Sequence, residues 1–257
     1  MAIFKGEKEI TSLADWKVLG GPKSTNQWVP GRSAVEAARS WLHDGGRTFP
    51  PAVARILASH PDFGRTVSWR GEPEAKLPFD AFAGEPRNTD VLVVAQDSFG
   101  TYVLAVEAKA DESFGATVAE TLSDAVERKV ENPKSNGVAR VQQLVTALLG
   151  PRRSGEAKIG DLRYQLLTAV AGALCEAERQ GIDRAVLLVQ EFITSKTDDK
   201  KHRMNADDLN LFLERLSHGS AGALGTHLVG PFLVPGTPLL TKEIRLYVGK
   251  VTENLRP

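Results

Sequence analysis

Two adjacent apolar segments in the middle of the chain constrain its fold more than any other feature. Residues 90–95 and 102–109 are rich in β-branched side chains, and a turn-forming Asp-Ser-Phe-Gly segment at residues 97–100 separates them. Two strands joined by so short a loop form a β-hairpin. Both strands are apolar on both faces, which is typical of strands covered by helices on each side of a sheet. The sequence therefore predicts a central, covered hairpin.

Further elements are predicted on both sides of this hairpin from periodicity, caps and breakers. Predicted helices cover residues 33–43, 51–59, 116–130, 138–149, 162–180 and 205–217. Predicted strands cover residues 185–189, 227–233 and 243–249. Ser33 and Glu36 have the spacing of a capping box, and Asp161 and Asn205 are predicted N-caps.

This order of elements predicts one α/β domain over residues 33–257, with a central mixed β-sheet flanked by α-helices. Residues 1–32 contain Gly, Pro and two Trp without a clear period. We therefore predict that they form an irregular N-terminal segment.

Composition limits the function classes. Lys plus Arg equals Asp plus Glu at 32 each, so a nucleic-acid surface must be a local patch and not a global basic field. Cys175 is the only cysteine, which excludes an internal disulfide and a multi-cysteine zinc site and suits a reducing compartment. No apolar run approaches the ~18 residues of a membrane span, and the first residues lack a signal-peptide core. These features predict a cytoplasmic protein with no membrane partner.

A symmetric hairpin brings two acidic residues and a lysine together. If Gln96 pairs with Thr101, the same register places Asp90 directly across from Glu107, with their Cβ atoms about 5 Å apart. Lys109 joins that face because strand side chains repeat every second residue. Two carboxylates so placed repel each other, and burial raises the cost. A bound cation removes that cost.

A hard divalent ion suits such a site. Mg²⁺ takes oxygen ligands, usually one or two carboxylates with waters and phosphate oxygens. We predict metal ligands at Asp90, Glu107 and the main-chain carbonyl of Ala108. The ion would polarise a phosphoryl oxygen and lower the pKa of a bound water, while Lys109 positions that water or offsets developing charge. The alternative is a solvated hairpin edge in which Lys109 merely pairs with Glu107.

A known pattern matches these residues. Asp90 followed by Val106-Glu107-Ala108-Lys109 resembles the PD-(D/E)XK nuclease superfamily, although Thr89 stands where the motif has proline. That resemblance implies the restriction-endonuclease-like fold. Several segments also resemble an uncharacterised bacterial family assigned to this fold: residues 31–34 with Trp41, residues 106–115, residues 162–167 and residues 176–178. The similarity spans roughly residues 25–195.

The resemblance implies a Mg²⁺- or Mn²⁺-dependent nuclease that hydrolyses DNA phosphodiester bonds, in defence against foreign DNA or in repair. It also implies two further site residues. Glu36 matches an acidic residue on the helix before the hairpin, and Gln165 matches a glutamine on a helix after the strand. Glu36 serves equally well as a capping-box partner, and Gln165 as a half-exposed helix residue.

Several alternatives remain open. Nucleases of this type often dimerise to cut both strands, so a homodimer is compatible with the resemblance. A catalytically silent nucleic-acid-binding or assembly module with the same fold is a second hypothesis, and an enzyme acting on a small nucleotide is a third. Basic residues before the site and before the long helix are candidates for phosphate contacts. They are Arg65, Arg70, Lys76, Arg87, Arg152 and Arg153.

Overall fold

One mixed sheet runs through the part of the chain that the computed structural model describes, residues 1–22, 24–82 and 84–256. Its strands within those ranges are β1 (Ala2–Lys5), β2 (Lys8–Ile10), β3 (Ser68–Leu77), β4 (Arg87–Asp97), β5 (Gly100–Lys109), β6 (Arg184–Ile193), β7 (Val229–Phe232) and β8 (Arg245–Asn254). The helices there are α1 (Leu13–Gly20), α2 (Ser33–Trp41), α3 (Pro51–Leu57), α4 (Val118–Glu131), α5 (Gly137–Leu148), α6 (Tyr164–Arg179) and α7 (Asp199–Leu216). The predicted α/β class, a mixed sheet flanked by helices, is confirmed.

The predicted hairpin occupies the middle of the sheet, whose strand order is β2-β1-β3-β4-β5-β6-β8-β7. Strands β4 and β5 pair antiparallel in the predicted register, with Gln96 opposite Thr101 and Asp97 opposite Gly100. Strands β5, β6 and β8 run parallel to one another. Within the described ranges, no helix combines the length and apolar character needed to cross a bilayer.

Side chains alternate along β5 and fill two separate cores. Val103 and Ala105 pack with apolar residues of α5, α6 and α7 on one face. Tyr102, Leu104 and Val106 pack with residues of α2 and α3 on the other face. Burial on both faces explains why the strand is apolar throughout. Glu107 shares the alternation of Val103 and Ala105, so it lies on the α6 side of the sheet.

The prediction that residues 1–32 are irregular is wrong. Strand β1 adds to the sheet beside β3, with Ile3 opposite Gly71. Helix α1 begins after Ser12, whose hydroxyl accepts a hydrogen bond from the N–H of Asp15. Trp16 is buried in the core under α2 and α3. Strands of three or four residues are too short to show the alternation by which a strand is detected in sequence.

Other boundaries also differ from the prediction. The sequence pattern does not predict strand β3, because a glycine and a proline inside it are signals against a strand. Helix α6 begins after Arg163 and not at the predicted cap Asp161. Helix α7 is capped by Asp198, whose carboxylate accepts from two backbone N–H groups. The predicted cap Asn205 lies buried inside α7, where its side-chain amide donates to the carbonyl of Glu112.

A buried ion pair closes the hairpin at its turn. The guanidinium of Arg184 on β6 donates to both carboxylate oxygens of Asp97, at 2.8 and 3.2 Å. Their side chains are 1% and 0% exposed. The N–H groups of Gly64 and Phe99 donate to the same carboxylate. Burial acts to raise the pKa of Asp97, but these donors outweigh it and hold the pKa below its ordinary value.

The substitution Asp97→Asn is expected to lower the free energy of unfolding by about 3–5 kcal/mol, because it leaves the Arg184 charge buried without its partner. Denaturant unfolding measures this loss. The matched control is Asp183→Asn, which breaks the exposed pair with Arg245 and should cost less than about 1 kcal/mol. Equal losses in the two variants would contradict the assigned role of the buried pair.

The same pair predicts a pH dependence. Because the folded-state pKa of Asp97 is lowered, its contribution is complete above the unfolded-state pKa of about 4 and is lost as the pH falls through the folded-state value. The stability difference between wild type and Asp97→Asn should therefore shrink in acid. Unfolding measured from pH 6 down to pH 2 checks this, and a constant difference would argue against it.

Candidate metal centre

The β4–β5 ladder ends immediately before the predicted site. Its last pair is Val91 with Val106, so Asp90 and Glu107 do not form the ladder pair that the register predicts. Instead, the Asp90 carboxylate accepts a hydrogen bond of 2.6 Å from the N–H of Ala108. The Asp90 carboxylate thus accepts the hydrogen bond that a backbone carbonyl of β4 would accept from the Ala108 N–H if the ladder continued.

Strand β4 is held in place at this point from both sides. Thr89 stays paired with Ala75 of β3, and its hydroxyl donates to the carbonyl of Val106 at 2.9 Å. The backbone around Asp90 is therefore fixed while its carboxylate bonds to β5. This contact replaces the predicted cross-strand pair but still keeps Asp90 beside the end of β5.

The oxygen atoms at this point fit a divalent ion. In an antiparallel pair, the N–H and C=O of one residue point toward the same neighbour, so the carbonyl of Ala108 lies on the β4 side with the Asp90 carboxylate. In the described residues, no group of three or more His, Cys, Asp or Glu side chains gathers as a metal site. Two carboxylates and a carbonyl nevertheless match Mg²⁺, which keeps several waters.

Three donors hold the Glu107 carboxylate, which is 4% exposed. Lys109 donates to Oε1 at 3.0 Å, and the Gln165 amide donates to the same oxygen. Arg87 donates to Oε2. Lys109 also donates to the Gln165 amide oxygen at 3.1 Å, which closes a ring of hydrogen bonds.

The two acids differ in their electrostatic surroundings. Burial acts to raise the pKa of Glu107, but the charges of Lys109 and Arg87 hold it below its ordinary value. Burial, together with the negative charge of Glu107, raises the pKa of Asp90 well above its ordinary value. The charge of Lys109 and the Ala108 N–H act to lower the pKa of Asp90 but do not offset these effects, and a bound cation would add to the lowering.

Helix α6 approaches the sheet closely enough for Gln165 to reach β5. A Cβ atom on Gly172 would lie 3.1 Å from the Cβ of Leu77 and 3.6 Å from the Cδ of Arg87. Glycine at this position leaves room for the close packing of α6 on β3 and β4. Gln165 lies in the first turn of the same helix.

A cavity of about 870 Å³ opens in front of the site. Asp90, Glu107, Ala108, Lys109 and Gln165, which are five of the predicted site residues, all line it. Residues of the N-terminal part of the chain form another wall: Pro22, Ser24, Gln27, Arg32, Ser33 and Ala34. The segment predicted to be an irregular leader therefore helps to shape the candidate site.

Acidic side chains outnumber basic ones in this cavity. The acidic lining residues among those described are Glu74, Asp90, Glu107, Asp111 and Glu112. The basic ones are Arg32, Lys109 and Lys201. The cavity thus carries a formal excess of negative charge even though the whole chain is neutral.

Glu36 is the predicted site residue that the structure does not bring to the cavity, since it is absent from the described lining residues. Its buried carboxylate accepts from the N–H of Gly31 at 2.7 Å and from Arg39 at 2.8 Å. The capping box is also wrong, because the N-cap is Arg32 and makes no side-chain cap. Glu36 instead fixes the turn before α2.

None of the six predicted phosphate-contacting residues is among the described residues that line the cavity. Arg87 turns inward to Glu107, Arg70 lies over the ring of Phe4, and Arg152 donates to a backbone carbonyl.

Two other cations lie in the cavity wall. Arg32 pairs with the Asp111 carboxylate at 3.4 Å, and Lys201 donates to the Asp111 carbonyl at 3.1 Å. Lys201 is far from the motif in sequence, and no local pattern indicated its position.

Comparisons with known proteins relate the chain to one protein family. No curated protein matches the chain, and no solved structure matches it. One family model, described as a domain of unknown function (DUF6946), matches residues 9–255. This match covers nearly the whole chain, including α1 and every strand from β3 onward. The protein therefore belongs to the DUF6946 family, a family of unknown function.

Proposed function

We propose that this protein is a Mg²⁺- or Mn²⁺-dependent nuclease of the PD-(D/E)XK type that hydrolyses DNA phosphodiester bonds, in defence against foreign DNA or in repair. The meeting of Asp90, Glu107 and Lys109 at one cavity, where the β4–β5 ladder ends, supports the proposal most directly. The biological role rests on analogy, because a fold does not fix a function.

Each residue has a distinct role in the proposed reaction. The carboxylates of Asp90 and Glu107 and the carbonyl of Ala108 would hold the ion. When bound, the ion supplies Lewis-acid chemistry and lowers the pKa of a coordinated water. Lys109 offsets the negative charge that develops on the phosphate in the transition state. Gln165 contacts both Glu107 and Lys109 and so orients them.

The charge of the cavity explains why the reaction would need a metal. Five acidic residues against three basic ones repel a phosphate group. One divalent ion offsets that excess and gives the phosphate a positive partner. Without the ion, we expect neither productive binding nor cleavage.

Specific observations favour two other functions. The acidic lining and the full engagement of Glu107 by its three donors favour a catalytically silent module. The cavity volume of about 870 Å³ falls in the range of small-molecule sites, which favours a small nucleotide as the substrate. Plasmid DNA, single-stranded DNA, RNA and nucleotides assayed in parallel, with Mg²⁺ and with Mn²⁺, separate these possibilities.

Wild-type protein is expected to cleave DNA with Mg²⁺ or Mn²⁺ and to lose activity with a chelator. Asp90→Asn should abolish cleavage, because it removes a charged metal ligand, and Lys109→Ala should slow it by about 10²–10³-fold, because a charge that stabilises the transition state is lost. Initial rates on a labelled duplex measure both effects.

Two matched variants remove the same charges elsewhere. Asp124→Asn and Lys134→Ala change exposed residues of α4 and of the loop that follows it, and both should retain wild-type rates. Circular dichroism checks that all four variants fold. Undiminished cleavage by Asp90→Asn would refute the proposal.

Metal binding should also appear as a gain in stability. At a Mg²⁺ concentration of ~100 times the dissociation constant, wild type should gain about 2.7 kcal/mol in the free energy of unfolding. Asp90→Asn should gain nothing, yet without metal it should be at least as stable as wild type, because one of two repelling carboxylates is gone. Denaturant titrations with and without Mg²⁺ measure both.

Asp124→Asn again serves as the control, and it should gain the same stability from Mg²⁺ as wild type. A marked loss of metal-free stability in Asp90→Asn would show that the negative charge of Asp90 is mainly structural, since asparagine can still accept from the Ala108 N–H. That outcome would count against the metal centre.

A further inference from the structure

Arg87 contacts Glu107 from the side of α6. Its guanidinium donates to Oε2 of Glu107 and, through the other terminal nitrogen, to the hydroxyl of Thr168 at 3.1 Å. Thr168 in turn donates to the carbonyl of Gln165 at 3.0 Å. The Arg87 side chain is 9% exposed, so its charge is buried among β4, β5 and α6.

This guanidinium does not face the cavity. Arg87 is absent from the described residues that line it, whereas Glu107, Lys109 and Gln165 are present. Glu107 therefore separates Arg87 from any molecule in the cavity. A role in direct contact with substrate is excluded by this position, and a role through Glu107 remains.

Two consequences for Glu107 follow from the contact. Donors on both carboxylate oxygens fix its orientation, with Arg87 on Oε2 and Lys109 on Oε1. The carboxylate also shares its one negative charge with two cations. A divalent ion bound to Glu107 would lie within a few ångströms of the Arg87 charge, and like charges at that distance in a buried site repel strongly.

We propose that Arg87 is a positioning residue that fixes Glu107 and holds the affinity of the centre for divalent cations low. This inference rests on the proposed metal-dependent function. Loss of an ordinary structural residue would weaken metal binding or leave it unchanged, whereas loss of Arg87 should strengthen it.

Calorimetric titration of the metal-free protein with Mn²⁺ tests the inference. Arg87→Met removes the charge and keeps much of the apolar stem, and it should bind Mn²⁺ at least about tenfold more tightly than wild type, since a like charge near the ion is gone. Arg87→Lys keeps the charge and should bind within about twofold of wild type. Arg87→Gln, which is neutral and retains a donor amide, tests the same point if Arg87→Met does not fold.

A matched control separates the effect of charge near the metal centre from the effect of a general loss of stability. Arg140→Met breaks another partly buried pair, the one between Arg140 and Asp80, outside the described lining of this cavity. It should lower stability without changing the dissociation constant for Mn²⁺.

The outcomes distinguish this inference from the proposed function. If wild type binds Mn²⁺ in a manner that Asp90→Asn abolishes, but the folded neutral Arg87 variants bind with equal or weaker affinity, the inference about Arg87 is overturned alone. If neither wild type nor the Arg87 variants bind Mn²⁺ in an Asp90-dependent manner, the metal centre fails and the inference fails with it.

Discussion

The buried carboxylate of Glu107 is the charge around which the middle of the molecule is organised. A charge 4% exposed inside a sheet is costly unless partners neutralise it. Here the partners come from three elements: Arg87 begins β4, Lys109 ends β5, and Gln165 lies in the first turn of α6. The packing of α6 against the sheet is therefore linked to the charge state of the site. A change that shifts the helix also changes the surroundings of the acid.

The hairpin shows how much of this site can be predicted from local sequence patterns. Alternation and the four-residue turn predict the register, and the pair of Gln96 with Thr101 confirms it. The register also brings Asp90 to the end of β5. The exact contact was not predictable, because it depends on a choice between hydrogen-bond partners. The Asp90 carboxylate takes the N–H of Ala108, and the ladder ends one pair earlier than expected.

Other features depend on contacts distant in sequence, and local patterns do not contain them. The sequence predicts Arg87 as a candidate for phosphate contact, but Thr168, 81 residues away, helps to turn it inward. Lys201 enters the cavity wall from α7 through Asp111, 90 residues away. Strand β1 is ordered by pairing with β3, which lies more than 60 residues further along the chain. In each case a tertiary contact, and not the local sequence, determines the position of the residue or strand.

The neutral composition of the chain argues against a nuclease only if DNA must be held by a basic surface. At this site the acidic lining residues outnumber the basic ones, so in the proposed nuclease the attraction for a phosphate would have to come from a bound ion and from the few cations in the cavity wall. Arg32 and Lys201 are both bound to Asp111, and phosphate oxygens would compete for the same donors. On contact with a nucleic acid, Arg32 and Lys201 would then exchange their bonds to Asp111 for bonds to phosphate oxygens. The net attraction from these two residues would be correspondingly small, and in the proposed reaction a bound ion would supply the larger part of the binding energy.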